Sequence, residues 1–421
     1  MLKKHIEDKL VKNLAYTPTE SQQALFGALA DFIINWGGNE IFLITGYAGT
    51  GKTTTIKTLI HTLYSLRINS MLMAPTGRAA KVLSSYTFKP AYTIHKKIYR
   101  QKSAQDGFGD FVLDKNLHKN TYFIVDEASM ISNQSFDFSI FGSGRLLDDL
   151  IEYVYQGHAC KLILIGDTAQ LPPVKMDLSP ALDPGKLESF GLDVKRAFLS
   201  DILRQSKESG ILFNATIIRQ MIEQEASDYP KLQVSGFNDI ECTVGSDMVE
   251  LISDSYDQYG VEETVIITRS NKRANNFNQG IRNQILWREE ELATGDFLMV
   301  VKNNYFWIDE EEKLDFIANG DIVEVVGIKG YQSLYGYRFA DLTLRFVDYE
   351  DLEIDAKILM DTLYSNQASL SKEENRNLFN NVMEDYQDLK TKKARYKKVR
   401  ENPFFNALQV KFAYAVTCHK A

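Results

Sequence analysis

A chain of 421 residues is too long for one ordinary domain, and two or three are expected. Apolar residues make up 44% and charged residues 25%, the balance of an ordinary globular protein. A net charge of −8 argues against a protein that coats nucleic acid indiscriminately, so any such binding must use a local groove.

The first residues, Met1 to Asp8, hold no apolar core and no small-residue cleavage site, and are not a signal peptide. Ile6, Leu10 and Leu14 recur every fourth residue and predict a short amphipathic helix. Pro18-Thr19-Glu20 opens a second helix that runs to about Trp36 and is closed by Gly37-Gly38. Short apolar strands then alternate with helices at Ile41–Thr45, Ser70–Ala74, Tyr122–Val125 and Lys161–Ile165, the pattern of a parallel α/β sheet. Residues 100–119 interrupt it. Gly107-Phe108-Gly109 and the alternation Phe111-Val112-Leu113 fit a β-hairpin insertion there.

A second α/β unit starts near Ser200 and spans 200–293, with its clearest strand at Thr264–Thr268 and a helix from Asn271 to about Trp287. Residues 294–357 are strand-like and form a small all-β module inserted into that unit. A charged helical segment, 358–404, ends in a run of Lys and Arg between Lys390 and Arg400, read either as a solvated helix face or as a DNA contact. Phe412 to Val416 is one more strand, in a truncated return (405–421) to the second α/β unit. No apolar run reaches the roughly 18 residues of a membrane span. Cys160, Cys242 and Cys418 are far apart, which suits a reducing compartment, the cytoplasm, and neither a disulfide framework nor a zinc site.

The chemistry is carried by Gly46-Tyr47-Ala48-Gly49-Thr50-Gly51-Lys52-Thr53, a G-x-x-x-x-G-K-T phosphate loop set between a buried strand and a helix from Thr54 to Leu66. There, backbone N–H groups and a helix N-terminus converge on the phosphates of a nucleotide, so Gly46, Ala48, Gly49, Thr50, Gly51, Lys52, Thr53 and Thr54 are its expected binding residues. Lys52 would reach the β- and γ-phosphates and Thr53 would hold Mg²⁺. The strand Tyr122–Val125 ends in Asp126-Glu127. Asp126 would hold the metal through water, and Glu127 would take the proton of the attacking water. Leu162–Ile165 runs into Gly166-Asp167 and on to Gln170-Leu171-Pro172-Pro173-Val174, where Gln170 could sense the γ-phosphate.

These residues resemble superfamily 1 DNA helicases of the RecD-like and phage Dda-like branch, over nearly the whole chain. Thr19-Glu20-Ser21-Gln22 is similar to the Q motif, whose glutamine reads adenine, which implies Gln22 as a cofactor-binding residue. Gly46–Thr53 is similar to motif I. Ala74-Pro75-Thr76-Gly77-Arg78 resembles motif Ia, and Thr93-Ile94-His95 the T-I-H element. Val125-Asp126-Glu127-Ala128-Ser129-Met130 resembles motif II, Gly166–Val174 motif III, and Leu203-Arg204-Gln205 motif IV. Thr417-Cys418-His419-Lys420-Ala421 is similar to the start of motif V.

The resemblance implies two RecA-like P-loop motor domains, residues 1–199 and an incomplete second one, with an SH3-like insertion and a duplex-splitting pin in the 100–119 hairpin. It implies ATP and Mg²⁺ as cofactors, single-stranded DNA and fork duplex as partners, a monomeric motor and 5′→3′ movement. Lys52, Glu127, Gln170 and Arg204 would be catalytic, with Arg204 as an arginine finger. Pro75, Thr76, Arg78, Thr93, His95, Thr417 and His419 would lie on the DNA path. Arg78 could instead cap its own helix, and His95 could be a satisfied helix-start histidine. Remodelling of protein–DNA complexes without unwinding is the alternative activity. A non-motor nucleotide-binding regulator fits less well, since it has no need of motifs Ia, III and IV. The family continues past motif V, so Gln-Gly is expected after Ala421, with an additional arginine finger beyond. Phe412, Tyr414 and Val416 would then sit on an exposed sheet edge in the chain as it stands.

Overall fold

The computed structural model describes residues 1–35, 38–101, 111–133, 142–173, 176–201, 209–226, 228–308, 316–347 and 352–418. They divide into two compact α/β units, with the boundary in the chain between Cys242 and Thr243. That is later than Ser200, where the strand pattern placed the start of the second unit.

In the first unit, helices α1 (Leu2–Asn13) and α2 (Glu20–Ile34) precede strand β1 (Glu40–Gly46), helix α3 (Lys52–Ser65), β2 (Asn69–Ala74), α4 (Gly77–Thr87), β3 (Ala91–Thr93) and α5 (Ile94–Ile98). Strands β4 (Tyr99–Gln101) and β5 (Phe111–Leu113) pair antiparallel, with Tyr99 opposite Leu113, and form the base of the expected hairpin. The loop between them lies outside the described residues. Then come β6 (Thr121–Val125), α6 (Leu146–Gln156), β7 (Lys161–Gly166), α7 (Pro184–Glu188), β8 (Asp193–Leu199) and α8 (Gly210–Glu223).

Six strands form one parallel sheet in the order β3-β2-β6-β7-β1-β8. The central strands are apolar throughout because both faces are covered. Phe42 and Ile44 of β1 enter the core beneath α2 and α3, while Ile41 and Leu43 enter the opposite core with Leu147 and Leu150 of α6. Because β6, β7 and β1 are adjacent and parallel, Asp126, Gly166 and Gly46 emerge at the same edge of the sheet. That edge is where open parallel sheets bind ligands.

Strand β8 had no counterpart in the sequence reading. Its sequence DVKRAFL shows no apolar face, and most of its residues are exposed or half-buried. It is an edge strand, where charged side chains are favoured because they block pairing with another chain.

The second unit contains α9 (Met248–Tyr259), β9 (Ile266–Thr268), α10 (Asn271–Gly280), β10 (Phe297–Val300), β11 (Ile322–Leu334), β12 (Tyr337–Phe346), β13 (Glu353–Leu359), α11 (Lys372–Glu384), α12 (Lys392–Arg400), β14 (Leu408–Phe412) and β15 (Ala415–Thr417). A π-helical turn, Ile281–Ile285, extends α10. Strands β10 to β14 close into a barrel, and β15 pairs in parallel with β9. The barrel therefore reaches beyond 294–357. Its closing strand β14 was expected in the second α/β unit, and a short buried run looks the same in either setting. Phe412, Tyr414 and Val416 are all buried, so these three side chains are not the exposed apolar surface expected of them.

Asp296, fully buried, ties helix to barrel. Its carboxylate accepts hydrogen bonds from Arg282 at 3.0 Å, Arg288 at 2.5 Å and the Tyr414 hydroxyl at 2.8 Å. On α12, Lys397 and Lys398 pair with Glu401 on the exposed surface, as a solvated helix face would. No helix among the described residues is long and apolar enough to cross a membrane.

Lys411 of β14 is buried, and its ammonium donates to the carbonyls of Thr362 and Ser365. Burial lowers its pKa from 10.5 to about 8. Between these values the unfolded chain holds a proton that the folded barrel has released, so stability should rise with pH across that window. Chemical denaturation of wild type and K411M checks this. The wild-type midpoint, taken relative to that of K411M, should increase from about pH 8 to about pH 10. A difference that stays constant would show that Lys411 keeps its ordinary pKa.

Candidate active site

The backbone of the first unit builds the site. Residues 46–51 leave β1 and turn into α3, with Gly49 at φ +82° and Gly51 at φ +87°, left-handed values that favour glycine. Gly46 is needed for space. A Cβ there would stand 2.8 Å from the Leu199 Cβ and 2.9 Å from the Leu199 carbonyl oxygen on β8. The Thr50 hydroxyl donates to the Tyr47 carbonyl at 2.7 Å and closes the turn.

A cavity of about 440 Å³ opens over this loop, lined by Tyr16, Ala48, Gly49, Gly51, Lys52, Thr53, Thr54, Glu127 and Gln170. Eight of these were expected at the site from the sequence. Lys52 donates to the Gly46 carbonyl at 2.6 Å and pairs with Asp167 at 3.3 Å. Gln170 accepts a hydrogen bond from the Ser129 hydroxyl at 3.0 Å, which links the ends of β6 and β7.

Asp126 ends β6, and both its oxygens are engaged. One accepts from the Tyr86 hydroxyl of α4 at 2.8 Å and the other from the Glu127 N–H at 2.9 Å. Burial raises the Asp126 carboxyl above its ordinary value, against these two bonds and the charge of Lys52. Burial also raises Glu127, and the neighbouring Asp126 charge adds to it. Glu127 sits at φ +53°, a left-handed conformation that is uncommon for a residue with a side chain.

Mg²⁺ bound with a nucleotide takes one or two protein oxygens and completes its shell with phosphate and water. The Thr53 hydroxyl on the cavity wall and the Asp126 carboxylate at the strand end are ligands of that type.

Gln22 is not on the cavity wall. It is fully buried, and its amide oxygen accepts from the Thr19 N–H in a capping box while its amide nitrogen donates to the Tyr16 hydroxyl at 3.3 Å. Tyr16, which the sequence reading passed over, is the residue of this pair that faces the cavity. Its place four residues before a helix start is a weak signal, since tyrosines are common in loops.

Of the residues expected on the DNA path, Pro75 and Thr76 are half-buried and Arg78 is exposed in the first turn of α4. The Thr76 hydroxyl caps that helix through the Ala79 N–H. Thr93 is buried, and its hydroxyl caps α5 through the Lys96 N–H. His95 is half-buried, and burial lowers its pKa. Thr417 ends β15, opposite Thr268. Arg204 and His419 lie outside the described residues.

A family model described as an AAA domain matches residues 33–176. The ATP-dependent RecD2 DNA helicase of Deinococcus radiodurans is 32% identical over 164 residues, which is 38% of this chain and 20% of the relative. The ATP-dependent DNA helicase dda of Enterobacteria phage T4 is 25% identical over 305 residues, 67% of this chain and 62% of the relative. A crystal structure of Pif1 helicase from Bacteroides with ADP-AlF3 and ssDNA aligns with a TM-score of 0.46 and 16% identity, over 96% of this chain and 83% of that one. The chain thus spans less than two thirds of the length of the curated relatives it matches.

Gly46→Ala tests the loop. The backbone of Leu199 cannot move away without breaking the β1–β8 pairing, so the loop must shift. Titration with a fluorescent ATP analogue should show binding weakened about tenfold or more, a cost of about 1.4 kcal/mol. Unchanged affinity would show that the loop tolerates the extra methyl group.

Proposed function

We propose that this chain, a relative of the RecD-like and Dda-like superfamily 1 DNA helicases, is an ATP-dependent motor that moves along single-stranded DNA and separates strands, in the 5′→3′ direction. The reading takes the two α/β units as RecA-like motor domains, the closed barrel as an SH3-like insertion, and residues 100–119 as a pin at the fork.

The observation that carries it is the shared cavity. Its lining brings together the phosphate loop, the half-buried Glu127 and Gln170 from three different strand ends, with Asp126 next to Glu127 in the chain. Phosphoryl transfer is mostly positioning and charge neutralisation, and these are the groups it requires.

In this reading Lys52 moves from Gly46 and Asp167 to the phosphates when ATP enters. Thr53, and Asp126 through water, would hold Mg²⁺, which would neutralise phosphate charge. Tyr86 keeps the Asp126 carboxylate oriented. Glu127 accepts the proton of the attacking water, and its raised pKa makes it a stronger base than an exposed glutamate. Gln170 reports the γ-phosphate to Ser129 and motif II through their hydrogen bond. Arg204 serves as arginine finger. Tyr16, held by Gln22, offers a ring to the adenine. Pro75, Thr76, Arg78, His95, Thr417 and His419 track the DNA, and Thr93 supports His95 by capping its helix. Backbone contact makes the affinity independent of sequence.

Two variants separate binding from chemistry. K52A should lose both ATP binding and hydrolysis. E127Q should lose hydrolysis but retain ATP affinity within about twofold, since only the base is removed. Normal turnover by E127Q would place the base elsewhere. Affinity for single-stranded oligonucleotides, followed by fluorescence anisotropy, should fall steeply with salt and vary little with sequence. A strong preference for one sequence would contradict a translocating motor.

A further inference from the structure

Arg219 stands against the nucleotide loop from helix α8. It is nine-tenths buried, at 9% exposure. Its Nη2 donates to the Ala48 carbonyl at 3.1 Å, and its guanidinium lies 5.4 Å from the centre of the Tyr47 ring. Neither partner is an anion. Its Nη1 is buried and has no hydrogen-bond partner.

The helix that delivers it is fixed independently of any ligand. The Ser209 hydroxyl caps α8 at the Leu212 N–H, and Asp239 accepts from the Gly210 N–H at 2.7 Å and from the Ser209 hydroxyl at 2.7 Å. Asn214 exchanges hydrogen bonds with the Gln233 backbone. The guanidinium is thus held in place before a substrate arrives.

A buried cation with an unsatisfied donor is costly unless an anion completes it. Guanidinium is the side chain best suited to phosphate, because its donors match two oxygens at once. Ala48, which it touches, lines the cavity beside Gly49 and Lys52. We propose that Arg219 is a triphosphate-binding residue: the unsatisfied Nη1 takes an oxygen of the terminal phosphate, while Tyr47 and the Ala48 carbonyl hold the guanidinium in position. This rests on the nucleotide site proposed above and adds to it a source of preference for tri- over diphosphate. It is a different residue from Arg204, and it comes from α8 within the first unit.

The test is equilibrium titration of wild type, R219A, R219K and K52A with a non-hydrolysable ATP analogue and, separately, with ADP, both with Mg²⁺. A hydrogen bond between charged groups lost from the terminal phosphate should weaken analogue binding by R219A about tenfold or more, with ADP affinity changed less than about threefold. R219K keeps the charge but not the planar fork, so its ratio of analogue to ADP affinity should fall between those of wild type and R219A. Equal losses for the two nucleotides would make Arg219 a structural prop of the loop and overturn the proposal. So would an unchanged ratio in both variants alongside normal binding by wild type and weak binding by K52A. Wild type that binds neither nucleotide would instead overturn the nucleotide site itself, and this proposal with it.

Discussion

Asp167 is 2% exposed and lies at the end of β7, where a charge has little water to stabilise it. Lys52 answers it at 3.3 Å, from the first turn of α3, while also donating to the Gly46 carbonyl. A buried ion pair of this kind contributes little net stability, yet breaking it by removing one partner costs several kcal/mol, roughly 3–5. The lysine therefore stays with Asp167 until another anion competes for it. A phosphate group entering the loop is such an anion, and the left-handed glycines at 49 and 51 turn the loop so that backbone N–H groups can meet it. The rest of the site is arranged around this exchange.

Three strand ends converge because β6, β7 and β1 are neighbours in a parallel sheet. Their side chains are connected across the sheet edge. Ser129 meets Gln170, Tyr86 meets Asp126, and Asp167 meets Lys52. Tyr86 belongs to α4, the helix that opens with Thr76 and Arg78. A displacement of that helix would thus be felt at the carboxylate proposed to hold the metal. This gives a physical route between the nucleotide cavity and the segment proposed to contact DNA, carried by one hydrogen bond and one helix.

Much of this was legible in the chain. The glycine loop, the Asp126-Glu127 strand end and the Gln170 loop are strict about residue type, because phosphate chemistry leaves few substitutes. The strands Ile41–Thr45, Ser70–Ala74, Tyr122–Val125 and Lys161–Ile165 were legible because both sheet faces are covered and the sequence is continuously apolar. What escaped had no such signature. β8 is a polar edge strand. β14 is a short buried strand whose sheet depends on tertiary contacts, so it was assigned to the α/β unit and not to the barrel. Arg219 lies in an ordinary-looking amphipathic helix, and only its tertiary surroundings, the Ala48 carbonyl, the Tyr47 ring and a buried Nη1 without a partner, mark it. Gln22 was visible as a residue, but its capping-box hydrogen bonds were not, and these turn its amide toward Thr19 and Tyr16.

The central claim is that ATP turnover in the first unit is coupled to a nucleic-acid strand. The most direct measurement is the steady-state ATP hydrolysis rate of the full-length polypeptide with Mg²⁺, with and without a single-stranded DNA of mixed sequence. The proposed motor requires a rate that rises severalfold with DNA, saturates, and is lost in K52A. A rate that is the same with and without DNA, over a concentration range where DNA binding is seen, would contradict it.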